Sequence, residues 1–339
     1  LAEAQANLGY LLAKCGKVEV AERHYRRAIA LAPTIAETHL NLGGLLLAQR
    51  RLDAAEAAFR EHIRLRPASA AGWSNLGVTL ACGKREEEAE ACQRTALGLD
   101  PDYAKARFNL AYLLLRQGRF EEGWLCLEAR DWYAPLAARL PFPRWQGESL
   151  AGKSLLLTYE AGHGDVIQFC RYAAELKAHR AAAIVGLICH PALKRLLADL
   201  ADVDRLIAFD EDLPGTDWDY WSPLLSIPHH LGTRLDTIPA PIPYLRAAPV
   251  LVARWRPELP ATPLRVGLAW KGNPRFENDG QRSLPALATL APLGSVPGVG
   301  FVSLQKGAGE DEAAQPPPEL PVLDLGSKME DFADAAAIM

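Results

Sequence analysis

One spacing constrains this chain more than any other feature: 34 residues. Asn7-Leu8-Gly9, Asn41-Leu42-Gly43, Asn75-Leu76-Gly77 and Asn109-Leu110-Ala111 recur at that step, as do Pro33, Pro67, Pro101 and Pro135. Ala21, Ala55 and Ala89 keep it too, with Gly123 in the fourth slot. Four residues after each stand Tyr25, Phe59, Gln93 and Leu127. A period of this length is the mark of a stacked array. A small residue lets two antiparallel helices approach, and a large one fills the gap to the neighbour. Proline cannot continue a helix, so it sets the turn into the next unit. Each unit buries its apolar face only by stacking on the next. The repeats run over 2–35, 36–69, 70–103 and 104–137.

This pattern resembles the tetratricopeptide repeat, which predicts an α-solenoid over residues 1–137 that binds a protein or peptide. Asn7, Asn41, Asn75 and Asn109 fall once per repeat and so form one line along one surface. An amide carries both a donor and an acceptor, so such a row can pair with an extended peptide backbone. The alternative is that each asparagine bridges within its own repeat.

After Pro135 the pattern changes. A proline- and aromatic-rich linker, 138–152, precedes Ser154-Leu-Leu-Leu-Thr158, which reads as a buried strand. Residues 166–177 read as a helix, 182–189 as a strand, 191–200 as a helix and 203–209 as a strand; 219–225 adds a candidate fourth strand. Alternating strands and helices are the grammar of a parallel doubly wound sheet. Beyond the prolines of 238–244 the pattern restarts, with strands at 264–270 and 299–305, a short helix over 284–293 and a helix from Asp331. The fold class expected is therefore a helical solenoid followed by two α/β domains, 153–250 and 251–339. The second holds only two or three strands and is expected to be incomplete.

Composition excludes several functions. The net charge is −4, and 23% of residues are charged, with no basic domain and no acidic tail, so nucleic acid is not an expected partner. Six cysteines stand far apart without a C-x-x-C pair, which predicts free thiols in a reducing, cytoplasmic compartment and neither disulfides nor a zinc site. The longest uncharged run, Ser283 to Gln305, contains Pro285, Pro292 and Pro297 and is rejected as a membrane helix. The chain opens on Leu1 rather than Met, and no signal peptide is legible.

Two glycine signals lie almost in contact. Gly147-x4-Gly152-Lys153-Ser154 fits the phosphate-loop pattern at every fixed position. That loop requires a strand before it and a helix after it. Here the strand follows, so nucleoside triphosphate binding is rejected and Lys153 is expected to enter the sheet. Gly162-His163-Gly164-Asp165 sits between the first strand and the first helix. The carboxyl ends of such strands line the ligand crevice, and the glycines let a substrate approach the backbone. Asp165 is either the cap of the helix or a base facing the crevice. His163 is either a proton donor or a plain loop residue, and His190 ends the second strand.

Several motifs together resemble bacterial tetratricopeptide proteins fused to a GT-B glycosyltransferase, relatives of the O-GlcNAc transferase and heptosyltransferase groups. They are Gly162-x-Gly164-Asp165-x-Ile167-Gln168-Phe169-x-Arg171-Tyr172, Leu224-Leu-Ser-Ile-Pro228, Leu231-Gly-Thr-x-Leu-Asp-Thr-Ile-Pro239, Trp270-x-Gly-Asn-Pro274, Arg282-Ser-x-Pro285 and Phe301-Val-Ser-Leu-Gln-Lys-Gly307. The resemblance implies two Rossmann-like domains and a nucleotide-sugar donor, with no other cofactor and no metal. It implies Asp165 as the base on the acceptor hydroxyl, Arg282 and Lys306 near the donor pyrophosphate, Gln305 near the nucleotide, and the asparagine ladder as the peptide grip. Glu277-Asn278-Asp279-Gly280 puts acid beside the expected phosphate site. The family's second donor loop lies beyond Met339, so the chain as it stands is expected to be inactive. The alternative function is a non-catalytic interaction scaffold.

Overall fold

A computed structural model describes residues 1–212, 218–274 and 279–339. The chain divides into two compact units: Leu1–Arg139 with Leu225–Ile238, and Leu140–Leu224 with Pro239–Met339.

The first unit holds four helix pairs: α1 (Ala2–Lys14) with α2 (Val18–Leu31), α3 (Ala36–Ala48) with α4 (Leu52–Leu65), α5 (Ala70–Cys82) with α6 (Glu86–Leu99), and α7 (Ala104–Arg116) with α8 (Phe120–Leu127). A single turn, α9 (Ala134–Ala137), follows. The first helices of successive pairs touch one another, α1 with α3, α3 with α5 and α5 with α7, and so share one inner face. The small-on-large mesh is literal. A Cβ added to Gly43 would lie 2.6 Å from Phe59 Cε1, and one on Gly77 would lie 2.5 Å from Gln93 Nε2. Tyr25, Phe59, Leu42, Leu46, Leu76 and Leu80 join one buried cluster running through the repeats. The turn within each pair needs one residue at positive φ, and Gly16, Arg50, Lys84 and Gly118 supply it, again 34 apart.

A second ladder is written in charge. Glu22, Glu56 and Glu90 each pair with an arginine one turn on, Arg26 (2.8 Å), Arg60 (2.6 Å) and Arg94 (2.8 Å). Each also pairs with an arginine of the next repeat, Arg51 (2.7 Å), Arg85 (2.9 Å) and Arg119 (2.8 Å). The two arginines hold the Glu22 and Glu90 carboxyls below the usual range, against the opposing pull of partial burial, which is the largest single influence. Each glutamate thus ties its repeat to the next.

In the second unit the first sheet is parallel throughout, in the order β3-β2-β1-β4. Its strands are β1 (Ser154–Thr158), β2 (Ile184–Cys189), β3 (Arg205–Ala208) and β4 (Tyr220–Pro223). Leu155, Leu156 and Leu157 of β1 are fully buried, as befits a strand covered on both faces. Helices α10 (His163–Phe169), α11 (Tyr172–Arg180) and α12 (Pro191–Leu197) connect the strands. The single helix expected over 166–177 is split. Arg171 Nε donates to the Gln168 carbonyl at 2.8 Å, the group that the Tyr172 N–H would use in a continuous helix. Of the stretch 138–152, expected as a linker, residues from Leu140 on cluster with this unit, and Leu140, Trp145 and Leu150 are buried in it. Trp145 is fully buried, its N–H donates to the Trp221 carbonyl (2.8 Å), and its Nε1 donates to the Glu148 carbonyl (2.9 Å).

After β4, residues 225–238 leave the sheet and cluster with the first unit, although the sequence pattern assigns them to the 153–250 domain. The turn α13 (Ile227–His230) contacts α8. Trp124 Nε1 donates to the Thr233 carbonyl (3.0 Å), and the buried Arg130 donates to Ser226 Oγ (2.7 Å). Trp124 stands where the ladder would place its fourth glutamate, so the last pair is closed by this segment rather than by a further repeat.

The second sheet is also parallel, in the order β5-β6-β7, with β5 (Leu264–Leu268), β6 (Val299–Ser303) and β7 (Val322–Asp324). Helix α14 (Pro249–Trp255) precedes it and α15 (Phe332–Ile338) follows. They are joined by a buried bond of 2.8 Å from Trp255 Nε1 to Asp334 Oδ1. The helix expected over 284–293 is a 3-10 helix, Leu287–Ser295, with Pro292 inside it.

Candidate functional site

The strand order puts β1 between β2 and β4, so the connections run outward from β1 on both sides. That is a topological switch point, and open parallel sheets take their ligands at the carboxyl end of such a point. The loop after β1 ends there in Gly162-His163-Gly164-Asp165. Gly162 is the N-cap of α10, and Asp165 Oδ2 accepts its N–H at 2.8 Å. Asp165 therefore caps the helix, and its Oδ1 makes no hydrogen bond among the described residues. Gly162 and Gly164 are exposed.

His163 is half-buried and meets four further rings in series. It lies edge-on to His190 (4.4 Å between centroids) and stacks with Phe332 (5.2 Å, 23°). His190 is 5.2 Å from Phe209, and Phe209 is 5.6 Å from Tyr159. These residues come from the carboxyl ends of β1, β2 and β3 and from the first turn of α15, the helix after β7. His190 caps α12, its Nδ1 accepting the Ala192 N–H at 3.2 Å, which assigns its proton to Nε2. Burial, and secondarily the charge of His190, push the His163 imidazole below its ordinary value, favouring the neutral ring.

The residues expected near a donor, Arg282, Gln305 and Lys306, follow the strands β5 and β6 of the second sheet. Gln305 is buried, and its amide is committed to main chain. Oε1 accepts the N–H groups of Trp270 (2.8 Å) and Lys271 (2.9 Å), and Nε2 donates to the carbonyls of Lys271 (2.9 Å) and Ala308 (2.8 Å). It thereby fixes the loops after β5 and β6 against each other. Lys306 beside it is exposed, with Nζ 3.9 Å from Glu310. Arg282 is exposed in the turn after Asp279, whose carbonyl accepts its N–H at 2.9 Å. Glu277 and Asn278 lie outside the described residues.

The phosphate-loop match is accounted for at the other end of β1. Lys153 Nζ binds Asp219 Oδ1 (2.8 Å), while Asp219 Oδ2 accepts the N–H (2.9 Å) and hydroxyl (3.0 Å) of Ser154. The Lys153 ammonium, helped by Ser154, holds the Asp219 carboxyl down at about 2. A carboxylate occupies the lysine and serine that a phosphate would need.

On the solenoid, Asn7 is exposed and Asn41, Asn75 and Asn109 are half-buried on the first helices. Asn109 Nδ2 donates to Ser74 Oγ of the preceding repeat (3.2 Å). The side chains of the other three make no hydrogen bond among the described residues. The five-ring cluster and the charge ladder escaped the sequence reading. The ladder carried its own signal, since all nine residues keep the 34-residue step. No cluster of histidine, cysteine and carboxylate fit for a metal occurs among the described residues. No helix there is long and apolar enough to cross a membrane.

A tetratricopeptide repeat family model matches residues 6–70 and 85–135. The N-terminal part is a tetratricopeptide solenoid. Protein FlbA of Caulobacter vibrioides is 28% identical over 251 residues, which make up 65% of this chain and 41% of FlbA. The chain thus spans less than half the length of that relative. Among solved structures, MamA 41-end from Desulfovibrio magneticus RS-1 is 19% identical, covering 42% of this chain and 78% of its own, with a TM-score of 0.35. PilF of Pseudomonas aeruginosa is 23% identical, covering 38% and 59%, with a TM-score of 0.36.

Proposed function

We propose that this chain belongs to a protein glycosyltransferase. The solenoid holds a protein acceptor, and a GT-B-type α/β unit moves a sugar from a nucleotide-sugar donor to a hydroxyl of that acceptor. One observation carries the reading: the stacking of His163 on Phe332 joins the helix start behind the switch-point strand of one parallel sheet to the first turn of α15, the helix behind the last strand of another. In the reaction so read, the acceptor oxygen bonds to the anomeric carbon as the bond from that carbon to the donor diphosphate breaks. Asp165 Oδ1 takes the hydroxyl proton. Lys306 and Arg282 offset the charge that gathers on the departing nucleoside diphosphate.

A second reading, a scaffold whose α/β unit does not turn over, is favoured by the commitment of Gln305 to main chain and of Asp165 Oδ2 to the α10 cap. One experiment separates the two. Full-length protein is melted in the presence of uridine, guanosine, cytidine and adenosine diphosphate sugars. The enzyme reading expects one class to raise the melting temperature. It also expects Asp165→Asn to keep that shift while release of nucleoside diphosphate falls by about 100-fold or more. A flat response to every donor leaves the scaffold reading standing and removes the enzyme reading.

A further inference from the structure

The last repeat differs from the other three on the inner face, and the difference is aromatic. Phe108 meets Tyr112 at 5.1 Å and 89°, and meets Trp132 at 5.1 Å and 79°. Tyr112 is 55% exposed and Trp132 42% exposed, so two large rings face water beside a third. Rings meeting near a right angle leave an apolar corner in which another flat ring can lie, edge-on or offset. Tyrosine and tryptophan in such a patch are the side chains that dominate interface energy.

The setting of the cluster is specific. Lys105, Phe108, Asn109 and Tyr112 stand at i, i+3, i+4 and i+7 of α7 and share one face. Asn109 reaches Ser74 of α5, so this is the face on which the first helices touch. Lys105 is exposed and has no carboxylate partner among the described residues. The positions equivalent to Lys105 in earlier repeats are Glu3, Glu37 and Ala71. The row therefore runs from acid at the first two repeats to base at the last; the first repeat carries a single exposed tyrosine, Tyr10, at the position of Tyr112, whereas the three-ring cluster stands at the basic end.

We propose that the fourth repeat is an anchor subsite for an acidic, aromatic-bearing segment of the partner protein: one aromatic side chain lies in the Phe108–Tyr112–Trp132 corner, and a neighbouring carboxylate pairs with Lys105. The proposal rests on the reading of the solenoid as a protein-binding face. The charge order fixes the occupant's polarity, because an acidic segment is attracted at Lys105 and repelled at Glu3, while Glu37 between them is already paired with Arg66. The asparagines read backbone and are indifferent to sequence; the rings and Lys105 supply the selection.

The test is selection of a displayed random decapeptide library on the full chain, followed by affinity measurement on the selected peptides. The expected consensus has an aromatic residue within two positions of an acidic one. Tyr112→Ala and Trp132→Ala each weaken the selected peptides by about fivefold or more, the loss of one interface aromatic. Lys105→Glu, at an exposed position, weakens them by a similar factor and flattens the salt dependence. Circular dichroism confirms that each variant keeps its helices. Peptides that depend on Asn41 and Asn75 but lack the consensus, or that ignore all three variants, overturn the anchor and leave the solenoid reading intact. Failure to select any peptide overturns both. A dimer in sedimentation that Tyr112→Ala dissociates also overturns the proposal, by making a second copy the occupant.

Discussion

Gln93 occupies the slot that Tyr25 and Phe59 fill in the first two repeats, and replacing it with methionine should stabilise the solenoid. The side chain is 1% exposed. Nε2 donates to the Ser74 carbonyl at 2.9 Å, but Oε1 is buried without a partner. An orphaned buried acceptor costs about 1–3 kcal/mol, and one intramolecular hydrogen bond contributes about 1 kcal/mol. Ser74 sits in the body of α5, where its carbonyl has a helical donor four residues on, so losing Nε2 leaves it satisfied. Methionine has nearly the shape of glutamine and no polar atom to orphan, so it fits beside Gly77 without overpacking. The net expectation for Gln93→Met is a gain of about 1 kcal/mol. For a unit of this size that is a rise of about 2–4 °C in melting temperature, read from ellipticity at 222 nm. Phe59→Ala, at the equivalent fully buried position, calibrates the series with a loss of about 3–5 kcal/mol. A Gln93→Met protein that melts below the wild type would refute the reasoning, because it would mean that Oε1 has a partner in solution.

Two further outcomes follow from titration. The folded pKa of His163 lies below its ordinary value of 6.5, so the unfolded chain binds the proton more readily. The stability that this histidine contributes is fully present above pH 6.5 and is lost as pH falls below it. His163→Gln should flatten the decline of the α/β unit between pH 7 and 5.5 in urea melts, and an unchanged decline would clear His163 of the effect. Burial pushes the thiols of Cys92 and Cys189 up to about 11 and that of Cys170 up to about 12, while Cys15 is exposed. Iodoacetamide at pH 7.5 should therefore label Cys15 first, by peptide mass spectrometry, and spare those three until the fold is opened.

The two halves of the chain were legible to different degrees for a physical reason. In the solenoid every contact that matters lies within one repeat or reaches the next, so a single period exposes it: the Gly43–Phe59 mesh, the Glu56–Arg85 bridge and the positive-φ turn at Lys84 all keep the same step. The ends of the array are not periodic, and there the pattern fell silent. Nothing in Leu224 to Pro239 announces that it closes the last helix pair, because Trp124 and Thr233 meet across 109 residues of chain. The α/β unit reads well as strands, whose buried leucines are contiguous in sequence, and poorly as a site. Tyr159, His163, His190, Phe209 and Phe332 converge only because parallel strands deliver their carboxyl ends to one edge, and no spacing in the sequence records that convergence. The phosphate-loop match shows the converse. Its fixed residues are all present, yet Lys153 and Ser154 begin a strand and bind Asp219. Direction along the strand decides what a glycine-rich motif can hold: the same β1 carries a neutralised lysine at its amino end and an open loop at its carboxyl end.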